Sequence, residues 1–87
     1  MSTFMVERSL KDIPMDQLAA AQRRAITTAA EMSAQGTPIR YIRSTFVPGT
    51  GDCMCLFESD SAEAVSRLNE KAAIPFQRIV PALDLTP

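Results

Sequence analysis

The chain has 87 residues and a net charge of −1, with nine Lys and Arg against ten Asp and Glu. A single domain of this length buries only about 60–65% of its unfolded surface, so one modest core is all it can build. The charge balance excludes a large phosphate-binding footprint, which needs clustered Lys and Arg, while leaving room for a small anionic ligand. The chain has no histidine, so the commonest metal ligand and the commonest general base are both missing.

Thr3–Arg8 alternates and is rich in β-formers, which predicts a strand. Phe4 and Val6 share one face, Met5 and Glu7 the other. Pro14 suits a first helical turn, and Asp16 sits near the positive end of the helix dipole. Leu18, Ala21, Ala25, Ala29 and Met32 recur at helical spacing, and Gly36 is placed to close that helix. The alanines favour helix and permit close approach to a sheet. Arg23, Arg24 and Glu31 read as a solvated face.

Ile39–Val47 reads as the second strand. Strict alternation puts Tyr41, Arg43 and Thr45 on one side and Ile42, Ser44 and Phe46 on the other. Residues 48–52 (Pro-Gly-Thr-Gly-Asp) carry turn chemistry and predict a hairpin. Cys53–Glu58 is then the third strand, with Cys53, Cys55 and Phe57 on one face and Met54, Leu56 and Glu58 on the other. Asp60 and Glu63 have capping-box spacing and open a second helix, whose stripe is Val65, Leu68 and Ala72. Pro75 ends it, because proline disfavours helical geometry in the residue before it. Phe76–Leu85 completes the set as a fourth strand, with Pro81 pointing to an edge position or a bulge.

The order βαββαβ predicts one α+β domain over residues 1–87. It is the ferredoxin-like split unit, a four-stranded antiparallel sheet with two helices on one face. The opposite face would carry Met5, Glu7, Tyr41, Arg43, Thr45, Met54, Leu56 and Glu58. That surface is too apolar to stand open to water, so we expect a homodimer to cover it. Met1 to Arg8 shows no secretory signal pattern, and no apolar run approaches the ~18 residues of a membrane span. Cys53 and Cys55 lie two apart on a strand, beyond comfortable disulfide geometry. Together these features lead us to expect a reduced, cytoplasmic protein with no membrane or nucleic-acid partner.

Glu7, Arg43 and Glu58 are the candidate charged cluster, with Tyr41 and Arg78 beside them. On one reading they line a pocket. Arg43, Tyr41 and Arg78 would hold a small hydrophobic or anionic ligand, and Glu7 or Glu58 would act as a base with a raised pKa. On the other they form a structural ion-pair network at a dimer interface. Cys53 and Cys55 read as buried small hydrophobes. Two thiols do not complete a tetrahedral metal site, and a catalytic thiolate needs a basic neighbour that no histidine can supply.

Several short segments carry a family resemblance. They are Phe4, Val6, Glu7 and Arg8; Arg40-Tyr41-Ile42-Arg43-Ser44; Cys55-Leu56-Phe57-Glu58; the acidic stretch from Asp60 to Val65; and Ile74-Pro75 with Arg78-Ile79. Together they resemble a family of small uncharacterised bacterial domains known mainly for a nickel-binding member. The resemblance implies a ferredoxin-like domain that pairs as a dimeric α+β barrel, a group that includes small monooxygenases, isomerases and cyclases. It also implies histidines that this chain lacks: Arg43 stands where the family tends to have one in the second strand, and Leu68 where it tends to have one in the second helix. Nickel binding therefore does not carry over, and we expect neither metal nor cofactor. The leading expectation is a dimeric ligand-binding or accessory protein. A cofactor-independent isomerase, cyclase or oxygenase is the alternative, and a metal-binding protein using only carboxylates and thiolates comes third.

Overall fold

The computed structural model describes residues 1–87. Its elements run β1 (Ser2–Ser9), α1 (Met15–Ala34), β2 (Ile39–Val47), β3 (Asp52–Ser59), α2 (Ala62–Lys71) and β4 (Arg78–Ala82). The four strands form one antiparallel sheet in the order β2-β3-β1-β4. Both helices pack on one face of it, so the ferredoxin-like α+β arrangement is the fold of this chain. No helix is long and apolar enough to cross a membrane.

Hydrophobic burial explains the layering. The helix-facing residues Val6, Ile39, Cys53, Cys55 and Phe57 are buried and meet Ala21, Ala25, Ala29 and Met32 of α1 and Val65 and Leu68 of α2. Apart from Ile39, which strict alternation puts on the opposite face, these are the stripes that helical and strand periodicity predict. Gly36, at φ +97°, follows the end of α1 in the left-handed region that glycine enters at little cost.

Three local expectations change. Helix α2 is capped by Ser61 rather than Asp60: the Ser61 hydroxyl accepts from the Ala64 N–H at 3.1 Å. Both residue types can cap. Strand β4 is shorter than Phe76–Leu85: its ladder with β1 runs only from Arg78 opposite Glu7 to Ala82 opposite Thr3, and β1 begins at Ser2. Pro81 does lie in an edge strand, where the lost donor costs least.

The third change matters most. Strand β2 carries a bulge between Tyr41 and Arg43. Tyr41 pairs with Phe57 and Ser44 with Cys55, so two residues of β2, Ile42 and Arg43, stand against Leu56 alone. A bulge of this kind shifts the side-chain alternation by one. Tyr41 therefore turns to the helix side with Ser44 and Phe46. Strict alternation had placed it with Arg43 on the opposite face.

Candidate functional site

The sheet face turned away from the helices does not gather the charged residues into one cluster. Glu7 pairs with Arg78 across β1 and β4. Glu58 pairs with Arg40 at 3.3 Å. Arg43 pairs with Asp84 at 2.9 Å. Strand register explains the separation. Glu7 stands opposite Met54 and Glu58 opposite Thr3, so the two carboxylates are four residues apart along the strands, or about 13 Å. Between the pairs lies an apolar row in which Leu56 and Val80 flank Met5. The Arg43–Asp84 pair links the last residues of the chain to the far edge strand, which draws the segment after β4 over this row. The Arg partners are more than half exposed in each pair, where solvent screening leaves an ion pair little net effect on stability.

The other face holds the chemistry. A cavity of about 170 Å³ lies between α1 and the sheet. Its α1 wall is made of Leu18, Ala21, Gln22 and Ala25, and the two alanines are what leave the space open. Its sheet wall includes Arg8, Tyr41, Ser44, Cys53 and Cys55. Of the residues singled out from sequence for a ligand, only Tyr41 reaches it. Glu7, Glu58, Arg43 and Arg78 all lie on the opposite face.

Arg8 is the residue that pattern reading missed. It is 3% exposed and has no carboxylate within ion-pair distance, since the three ion pairs of the chain all lie elsewhere. Its Nη2 donates to Asn69 Oδ1 at 2.8 Å and its Nη1 to the Pro75 carbonyl at 3.3 Å. Asn69 is itself fully buried and is fixed by donating Nδ2–H to the Val65 carbonyl. The Arg8 Nε is buried and has no partner. The signal was present in the sequence: Arg8 continues the alternation of Phe4 and Val6 and so belongs to the helix-facing set.

Beside Arg8 runs a chain of polar groups. Gln22 Nε2 donates to the Tyr41 hydroxyl at 3.0 Å. Tyr41 and Ser44 hydroxyls are 2.6 Å apart, and Ser44 Oγ donates to Cys55 Sγ at 3.0 Å. Ser44 has one proton and spends it on Cys55, so the Tyr41 hydroxyl is the donor in the middle link. Cys53 Sγ lies 3.9 Å from Cys55 Sγ. Tyr41 is also held edge-on against Phe57, with ring centroids 5.5 Å apart.

These contacts set the two thiols apart. Cys55 is lowered from 9.0 to about 6, first by the hydrogen bond with Cys53, then by the charge of Arg8 and by the hydrogen bond from Ser44, all acting against burial. Cys53 is pushed up beyond the usual thiol range, because its proton is held in the bond to Cys55 and because it is buried. The pair thus gives up its first proton from Cys55. Both cysteines are buried and free, as expected. The expectation that they lack a basic neighbour is corrected: Arg8 fills that role.

The family model described as "Nickel responsive protein SCO4226-like" matches residues 4–81. Among solved structures the chain is similar to that of SCO4226 from Streptomyces coelicolor A3(2), at 25% identity and a TM-score of 0.80. That match covers 99% of this chain and 100% of the other. No curated protein matches the chain. The name raises nickel, and the donor set of one chain does not fit it. No three side chains of the His, Cys, Asp and Glu types come together to hold a metal ion. The two thiols that do meet stand beside the fixed positive charge of Arg8, which opposes a dication. Arg43 is spent on Asp84, and Leu68 is fully buried in the core.

Asn69→Ala should lower the unfolding free energy by about 2–3 kcal/mol, because it strands a buried donor of a charged group. Urea unfolding followed by circular dichroism measures this. A loss below about 0.5 kcal/mol, the range of ordinary surface substitutions, would show that Arg8 does not depend on Asn69.

Proposed function

The chain belongs to the SCO4226-like family of nickel responsive proteins, and on that premise we propose that it is a small dimeric binding protein. Its ligand is a small, largely apolar molecule with one polar end, held in the cavity between α1 and the sheet. One observation carries this reading: a largely apolar cavity of about 170 Å³ has all its polar lining residues but Gln22 on the sheet wall, around Arg8 and Cys55. A dry apolar cavity of about 150 Å³ is enough to take up benzene, so a single ring with one carbonyl or carboxylate matches the space. Gln22 is exposed and Tyr41 half-buried, which makes this pair the rim through which a ligand enters.

The dimer forms through the open sheet face. What supports it is the apolar row around Met5 and Leu56, together with Leu83 and Leu85 of the segment drawn over it, which are 81% and 84% exposed. Covering those leucines with the same surface of a second copy buries both at once.

Benzaldehyde and benzoate are suitable probes for the cavity. At tenfold excess over Kd, a bound ligand stabilises the native state by about 1.4 kcal/mol, a rise in Tm on the order of 5–10 °C for a domain this small. Ala21→Leu fills the cavity and should abolish the shift. An equal shift in both proteins, or none in either, would rule out this cavity as the site. For the dimer, light scattering should give twice the chain mass at micromolar concentration, and Leu83→Glu with Leu85→Glu should give the single mass. A monomeric wild type would contradict it.

A further inference from the structure

We propose that Cys55 is a nucleophilic thiolate and the point at which the cavity captures a small soft electrophile of the α,β-unsaturated carbonyl class. The inference rests on the cavity reading for access but assigns a different, covalent chemistry to it.

The argument is one of donors and acceptors. The Ser44 hydroxyl presents its proton to the Cys55 sulfur, and the Cys53 thiol is placed to do the same. The chain from Gln22 through Tyr41 and Ser44 is polarised in one direction and terminates there. Cys53 Sγ lies 3.9 Å away on the same strand face, so its S–H can donate once Cys55 is ionised. Arg8 brings a full positive charge with a buried, unpartnered Nε and no carboxylate within ion-pair distance. A neutral thiol would leave that charge uncompensated in the interior, which costs several kcal/mol. A thiolate satisfies the donors and the charge together. The lowered titration of Cys55 has the same cause. No other charged group faces it: Arg8 comes from β1, Cys53 from β3 and Tyr41 from β2, while α1 contributes only Leu18, Ala21, Gln22 and Ala25 to the cavity and α2 only the neutral Asn69 beside Arg8.

The sulfur lines a cavity whose α1 wall is largely apolar, so the electrophile it meets is small and organic. The thiolate sulfur adds to the β-carbon of the unsaturated carbonyl. An S–C bond forms, the C=C π pair moves onto the α-carbon and carbonyl oxygen as an enolate, and a proton from water completes the saturated adduct. No oxidant or reductant is needed.

Methyl vinyl ketone is the probe, with the site of addition read by intact mass and peptide mapping. The inference predicts one adduct, on Cys55, absent in Cys55→Ser and retained in Cys53→Ala. Its rate should change less than about twofold between about pH 6.5 and about pH 7.5, whereas an ordinary thiol gains roughly ninefold over that interval. Ser44→Ala should make the rate more steeply pH-dependent. Addition to both cysteines together, or with the steep profile of a free thiol, would overturn the proposal. Benzaldehyde separates this from the cavity reading. If it binds and blocks addition, both stand. If it binds and no adduct forms, the nucleophile fails and the cavity stands. If addition to Cys55 is unchanged by benzaldehyde and by Ala21→Leu, the nucleophile stands and the cavity reading fails.

Discussion

A cation sits in the interior of this small domain with no carboxylate to balance it. Arg8 is pinned by Asn69 and the Pro75 carbonyl, so its position depends on where α2 lies and on how the chain leaves it. Removing a guanidinium from water costs several kcal/mol unless its charge and its donors are met. In an 87-residue protein that cost is a large fraction of the total stability. The arrangement of β2 and β3 around Cys55 answers it: a polarised hydroxyl chain and a neighbouring thiol hold the sulfur in the state that can serve as counter-ion. The Arg8 and Cys53 backbones are opposite each other in the β1–β3 ladder, so strand register alone brings the two chemistries to one place.

The sheet separates two kinds of work. On its open face, three exposed ion pairs surround an apolar row and leave the leucines of the last segment bare. On its covered face, small residues of α1 keep the helix from filling the space above the cysteines. The β2 bulge joins these features. By shifting the alternation at Ile42 it takes the only tyrosine from the open face and sets its hydroxyl against Ser44. Without the bulge the hydroxyl chain would have no middle link.

The fold was legible because its signals are periodic. Apolar spacing located both helices and all four strands, and the turn residues at 48–52 fixed the hairpin. The site was less legible, for two physical reasons. A bulge changes side-chain direction without changing residue types, so Tyr41 could not be assigned to its face by counting in twos. A buried arginine at the end of a strand also resembles a solvent-facing terminal charge, even though Arg8 is in phase with Phe4 and Val6. The paired charges Glu7, Arg43 and Glu58 drew attention because charge on an apolar strand face is unusual. The register places them about 13 Å apart at the extremes and gives each its own partner.

The central claim is that the Cys55 thiolate balances Arg8, and the pH dependence of stability tests it most directly. Cys55 is lowered from 9.0 to about 6 in the folded chain. In that window the unfolded state holds a proton that the native state has released, so unfolding free energy rises with pH. The contribution is fully present above about pH 9 and is lost as pH falls through about 6. No histidine competes there. Urea unfolding of the wild type should therefore show stability falling between pH 9 and pH 6, with a nearly flat profile for Cys55→Ser. Parallel profiles for the two proteins would contradict the account.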